Sequence, residues 1–270
     1  MIGNITLGQY IPGNSAMHRM DPRSKIFWTG VFMVLVFMME SWPEYVLLSL
    51  WTALLIKVSE VPARQSLKGL KPLILLLAFT TVLNLFLIPG DPLITLGPLV
   101  VTAEGIRMAV KIFFRLCMLV IIASLMTLTT TPMSLTDGLE RLMNPLKRLR
   151  VPVHEIAMMM SIALRFIPTL LEETERIMKA QASRGAEFDS GNLFRRVKSF
   201  VPVLVPLFVS AFKRADELAE AMESRGYRGG EGRTRLKVLK FTRTDLGGAL
   251  ACLGILAAFA ALRLLWPPAA

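Results

Sequence analysis

The sequence predicts an all-α integral membrane protein, with about five transmembrane helices and a cytoplasmic-side domain of one short and two long helices. Three observations predict it. With 53% hydrophobic residues and a mean hydropathy of +0.53, the chain is too apolar for an ordinary soluble domain. Its apolar residues fall in long runs separated by breaks rich in proline, glycine and charge. Its net charge of +11 is unevenly spread: about two-thirds of the Lys and Arg fall in residues 133–243, and membrane proteins gather such residues on the cytoplasmic side.

The elements follow in order. Gly8 to Ser15 is rich in turn formers and leads to Asp21-Pro22-Arg23, an N-cap followed by proline at the first helical position. The first apolar run, Ile26 to Met39, ends at Ser41-Trp42-Pro43-Glu44, and Tyr45 to Lys57 runs back. Pro72 to Ile88 makes a third span, closed by Pro89-Gly90-Asp91-Pro92, and Thr102 or a neighbour caps a fourth that runs to about Thr130. Ser134 and Asp137 stand at capping-box spacing and open a short amphipathic helix that Val151-Pro152 stops, near Arg150. Two long helical patterns follow, between Val153 and Arg228. Thr242 and Asp245 form another capping box ahead of the last apolar run, Leu246 to Leu265. The expected domains are 1–132, with four spans; 133–243, on the cytoplasmic side; and 244–270, with the fifth span.

Orientation comes from the loops. Arg19, Arg23 and Lys25 precede the first run, Glu40 and Glu44 follow it, and Arg64, Lys68 and Lys71 follow the second. Only Asp91 and Glu104 follow the third. This alternation predicts a cytoplasmic N-terminus and an external C-terminus. Residues 1–20 contain no apolar stretch of the kind a cleaved signal peptide needs.

Within the basic segment, Ser183-Arg184-Gly185 closes the first long helix and Ser224-Arg225-Gly226 closes the second, 41 residues later. Each is preceded by a mixed charged run, Glu172 to Arg176 and Lys213 to Glu217. Glycine just past a last helical turn takes the left-handed conformation freely, so each arginine is expected at a blunt helix tip. A guanidinium held there suits bidentate pairing with a carboxylate of another protein. The apolar runs Met158–Leu171 and Phe200–Phe212 suggest an extra membrane hairpin. Each is short for a span and interrupted, by Pro168 or by Pro202 and Pro206, and a hairpin would put the two tips on opposite sides of the membrane. Helices lying along the membrane, bent at those prolines, fit better.

Other chemistry finds little support. The glycine cluster Gly226 to Gly232 lacks the lysine of a nucleotide-binding loop, so the chain is expected to hydrolyse no ATP, to have no catalytic residue and to bind no cofactor of its own. His154-Glu155 lacks the second histidine of a zinc-protease motif, position 158 being Met, so no metal site is expected. Cys117 and Cys252 lie in apolar runs and read as packing residues. Arg107, Lys111 and Arg115 share one face of the fourth span, where they either pair within the bundle or snorkel, as Arg107 can near the outer end, or else meet a partner. A stand-alone permease or channel would need polar residues through several spans. A nucleic-acid-binding protein would not interleave its basic residues with acids, so no nucleic acid is expected.

Taken together, Pro12-Gly13-Asn14-Ser15, His18-Arg19-Met20-Asp21-Pro22-Arg23, Ala163-Leu164-Arg165-Phe166-Ile167-Pro168 and the two Arg-Gly endings resemble the T component of energy-coupling factor (ECF) transporters. The resemblance covers nearly the whole chain. It implies a non-catalytic scaffold whose Arg184 and Arg225 dock on two ABC-type ATPase subunits, with Ser183, Gly185, Ser224 and Gly226 as geometric support. That family often carries Ala where Ser183 and Ser224 stand. It also implies one substrate-binding S component as partner beside membrane lipid, vitamin or micronutrient cargo, and ATP with magnesium on the ATPases. A dedicated cobalt or nickel uptake system of the same family is the alternative, ahead of a stand-alone membrane permease.

Overall fold

The computed structural model describes residues 10–96, 99–186, 188, 193–230 and 239–266. It is almost entirely helical. The helices are α1 (Ala16–Arg19), α2 (Pro22–Phe37), α3 (Trp42–Ser59), α4 (Ala63–Lys68), α5 (Ile74–Leu87), α6 (Ala103–Thr129), α7 (Pro132–Leu142), α8 (Val153–Ser183), α9 (Leu193–Ser224) and α10 (Arg243–Leu265). Among the described residues, four stretches are long and apolar enough to cross a membrane: Ala63–Leu87, Ala103–Thr129, Val153–Ser183 and Arg243–Leu265. With these helices and, among the described residues, one small two-stranded sheet, the chain is an all-α membrane protein. Its contacts divide the described chain into two compact units, 10–142 with 239–266, and 143–230.

The first unit is built on a seam between α2, α3, α6 and α10. Phe32, Leu35, Val36, Met39, Tyr45, Leu48, Met118, Ile121, Ile122, Leu125 and Phe259 form its core. In a bilayer such a seam is held by close packing more than by removal from water, because lipid tails are as apolar as leucine. The outward residues are apolar too: Leu75, Phe79 and Leu87 on α5 and Leu250 and Leu253 on α10 are exposed, as a lipid-facing surface requires. At 16 and 18 residues, α2 and α3 are short of the roughly 20 residues of a full span.

The caps explain the boundaries. Asp21 accepts from the Arg23 backbone N–H, with Pro22 behind it, to open α2. Ser41 and Glu44 form a capping box on α3 in which the buried Glu44 carboxylate accepts from the N–H groups of Glu40 and Ser41. Thr102 accepts from Gly105 to open α6, and Thr242 and Asp245 open α10, both as the sequence indicated.

Three expectations need correction. The short helix opens at Pro132, because Thr131 takes the capping role and Ser134 sits inside the first turn, donating its N–H to Thr131 Oγ1 at 3.2 Å. It ends at Leu142, ahead of a separate 3-10 turn, Asn144–Leu149, that contains Pro145, and so stops well before Val151-Pro152. The segment after Asp91 forms two antiparallel strands, Pro92–Leu96 (β1) and Leu99–Thr102 (β2), where only a loop was expected. The prolines end neither long helix: α8 runs 31 residues through Pro168, and α9 runs 32 through Pro202 and Pro206. Continuous through its proline, α8 has the length and composition of a membrane span.

Lys25 was read as a loop charge that sets orientation. It is 5% exposed instead, and its Nζ donates to Thr129 O and Thr130 Oγ1, both at 2.9 Å. A buried ammonium at the end of α6 thus satisfies a carbonyl that the helix itself leaves unpaired. The charges on α6 also find internal partners. Lys111 donates to Glu40 O at 2.6 Å, and Arg115 donates to Met39 O and, at 3.2 Å, to the Tyr45 hydroxyl. Both close off carbonyls just past the end of α2, while Arg107 is exposed.

Candidate functional site: two matched helix ends

In the second unit α8 and α9 form an antiparallel pair. Gln181 Nε2 donates to Pro202 O at 3.4 Å near one end, and Glu173 meets Ser210 and Arg214 further along. The first contact has a backbone cause. Proline at 206 has no N–H, which leaves the Pro202 carbonyl without its in-helix donor, and Gln181 supplies one from the neighbouring helix.

The second contact carries the symmetry. Glu173 Oε2 accepts from Arg214 at 2.8 Å, Oε1 accepts from Ser210 Oγ at 2.6 Å, and Glu173 and Arg214 are 41 positions apart. That is also the spacing of the two Arg-Gly endings. When two copies of a repeat pack antiparallel around a twofold axis, equivalent positions meet at the axis. The sequence repeat therefore appears as a pseudo-twofold helix pair, with Glu173 and Arg214 at its centre. Each tip lies 11 residues beyond that centre, roughly 16 Å at 1.5 Å per residue, and on opposite sides of it.

Both tips have the same local geometry. At the end of α8, Gly185 N–H donates to Ala182 O and Ala186 N–H to Gln181 O, each at 3.0 Å, with Gly185 at φ +88°. At the end of α9, Gly226 N–H donates to Glu223 O at 2.8 Å and Tyr227 N–H to Met222 O at 3.0 Å, with Gly226 at φ +67°. Each is a full Schellman motif, with the bond pair that only a left-handed residue past the cap allows. Ser183 Oγ donates to Lys179 O and Ser224 Oγ to Ala221 O, both at 3.1 Å, so each small residue turns back on its own helix. Arg184 and Arg225 are exposed, and neither side chain makes a hydrogen bond or ion pair among the described residues.

The structure thus places all six residues singled out from the sequence, as two equivalent and separate ends. What sequence reading missed is the joint between them: Glu173, Ser210 and Arg214 were noted only as members of charged runs. Their offset, equal to the repeat, was the available signal. The apolar run noted on α9 becomes an exposed stripe, with Val197, Val201, Leu204, Phe208 and Phe212 all open. Among the described residues no group of His, Cys, Asp or Glu could hold a metal ion.

Fold and site define a class: a helical membrane subunit that presents two equivalent cationic helix ends. Comparison with known proteins gives the family. A model of the cobalt transport protein family (CbiQ) matches residues 13–236. The chain is 57% identical over 246 residues to the energy-coupling factor transporter transmembrane protein EcfT of Ruminiclostridium cellulolyticum, covering 91% of this chain and 92% of that one. It is 52% identical over 253 residues to the same component of Thermosediminibacter oceani, covering 94% and 95%. With that of Clostridium kluyveri it shares 49% over 268 residues, 98% and 99% of the two chains. The chain belongs to the family of EcfT transmembrane components of energy-coupling factor transporters.

Proposed function

We propose that this chain is the scaffold and energy-coupling subunit of an ECF transporter, holding two ABC-type ATPase subunits on Arg184 and Arg225 and passing their motion to one membrane-embedded S component. The observation that carries the reading is the pseudo-twofold pair of exposed, unpaired arginines on equally built helix tips. Two ATPase subunits facing one another present two equivalent grooves, and a twofold helix pair is the matching shape. In this reading residues 133–243 lie on the cytoplasmic side, between a membrane domain of residues 1–132 and a last span in 244–270. The N-terminus is cytoplasmic and the C-terminus external.

The mechanism is mechanical. ATP and magnesium act on the partner subunits, and closure of the ATPases moves the docked tips. Because Glu173 and Arg214 join α8 to α9 between the tips, displacement of either tip turns the pair as one body and reorients the S component, which releases vitamin or micronutrient cargo. Pro168, Pro202 and Pro206 supply bends along the pair. The family's description as cobalt transport proteins favours, as a second reading, a dedicated cobalt or nickel system. The subunits that co-purify separate the two: ATPases with exchangeable vitamin-binding S components, or ATPases with metal-specific subunits.

The test is substitution at the tips. Arg184→Ala or Arg225→Ala removes a charge-assisted contact and strands a partner carboxylate, a loss of about 2 to 5 kcal/mol for a buried pair. Lysine keeps the charge without the fork and rescues in part. Each single change weakens ATPase attachment, and the double change abolishes it together with uptake into vesicles, because a two-point grip is lost. A double alanine variant that keeps its ATPases and transports normally would overturn the reading.

A further inference from the structure

A cavity of about 540 Å³ lies within the first unit, between the first turns of α2 and α10 and the end of α7. Along both helices its lining changes from polar to apolar in the direction of the span. Arg23 precedes Phe27 and Trp28 by about a turn on α2, and Thr242 and Asp245 precede Leu246 and Ala249 on α10. Arg141, from α7, joins the polar end. Two arginines and the Asp245 carboxylate therefore sit where α2 and α10 begin, and apolar surface extends from them along both helices. Phe27 is 55% and Leu246 64% exposed, so this surface is open to lipid.

The charges at the polar end are satisfied with one exception. Arg23 donates to both Asp21 oxygens, at 3.0 and 2.7 Å, and to Leu239 O at 3.3 Å, and its guanidinium lies 4.3 Å from the Phe241 ring centre. Burial pushes the Asp21 carboxyl up, but hydrogen bonds from Arg23 and its charge, helped by that of Arg141, hold it below the usual carboxylate range. Asp245 accepts from the Asp21 N–H and from the Thr242 N–H and hydroxyl, each at 2.7 Å. The Arg141 side chain makes no hydrogen bond or ion pair among the described residues, and its Nε is buried without a partner. A half-buried guanidinium left so is costly unless an anion completes it.

We propose that this cavity binds an anionic phospholipid, with the phosphate on Arg141 and one acyl chain along Phe27, Trp28, Leu246 and Ala249. The apolar wall favours a lipid over a free anion, and the guanidinium, which has no hydrogen-bonded partner, favours an anionic headgroup over a zwitterionic one, whose ammonium it repels. The site sits at the joint between α2, α7 and α10, so its lipid ties α10 to α2.

Native mass spectrometry tests this on the full chain, purified in neutral detergent with whatever subunits accompany it. The probes are phosphatidylglycerol, phosphatidylcholine and inorganic phosphate. Phosphatidylglycerol is retained in preference to phosphatidylcholine, and Arg141→Gln lowers its retention on the order of tenfold. Arg141→Lys is intermediate. Ala249→Trp fills the apolar part, keeps both guanidiniums and also loses the lipid, whereas Arg148→Gln, at an exposed residue that does not line the cavity, retains it. If Arg141→Gln fails to fold, Arg141→Lys and Ala249→Trp decide the matter. Equal retention of the two lipids, wild-type retention by the Arg141 and Ala249 variants, or displacement of the lipid by inorganic phosphate at matching concentration would each overturn the proposal.

Discussion

Gly185 and Gly226 have nothing within 4 Å of where a Cβ would stand, so replacing either with alanine meets no clash. The cost is conformational only. At φ +88° and +67° an alanine costs about 1 kcal/mol, by the sterics that exclude the left-handed region to L-residues. Gly185→Ala or Gly226→Ala is therefore expected to lower Tm by only about 2 to 4 °C. The larger effect falls on docking, since relieving the strain opens the Schellman turn and displaces the adjacent arginine. A pull-down of the ATPases alongside a melting curve separates the two effects. Loss of stability without loss of attachment would mean that the glycines serve the fold and not the tips.

The pairing of α8 with α9 rests on few polar contacts, and the central one can be measured. The Glu173–Arg214 pair is partly exposed, with side chains at 23% and 35% of full accessibility, so screening holds its coupling to about 0.5 to 1 kcal/mol. A double-mutant cycle of Glu173→Ala and Arg214→Ala on thermal unfolding is expected to return that value. Glu173→Ala alone costs more, about 1 to 2 kcal/mol, because Ser210 also loses its acceptor. If the joint transmits force, uptake falls further than stability does, while ATPase attachment is unchanged because both tips remain intact. A variant that unfolds more readily yet transports normally would leave the contact a purely structural one.

Topology belongs to the whole molecule. The alternation of basic and acidic loops expects a cytoplasmic loop around Ser190, a position outside the described residues, and an external C-terminus. A single cysteine at position 190, in a chain whose Cys117 and Cys252 are replaced by serine, should be labelled by an impermeant maleimide only after the cytoplasmic side is opened. Labelling from outside would mean that α8 crosses the membrane, as its length and apolar window allow. The two Arg-Gly tips would then lie on opposite sides, and a single pair of ATPases could not hold both.

Local chemistry and periodicity were enough for the sequence to determine the helical membrane class, the Asp21, Thr102 and Thr242 caps, and both Arg-Gly ends. Each of these depends on neighbours within a few turns: a capping oxygen, a glycine past the last turn, an apolar run long enough to span. The partners of Lys25, Lys111 and Arg115 were not legible, because each is a backbone carbonyl at the end of another helix, and carbonyls leave no mark in a sequence. The start of α7 went to Thr131 over Ser134 because two caps of similar strength compete within one turn. The 41-residue repeat was visible as a pattern, but only the antiparallel packing of α8 on α9 turned it into an axis, by bringing Glu173 and Arg214 to one point and sending the two arginines outward from it.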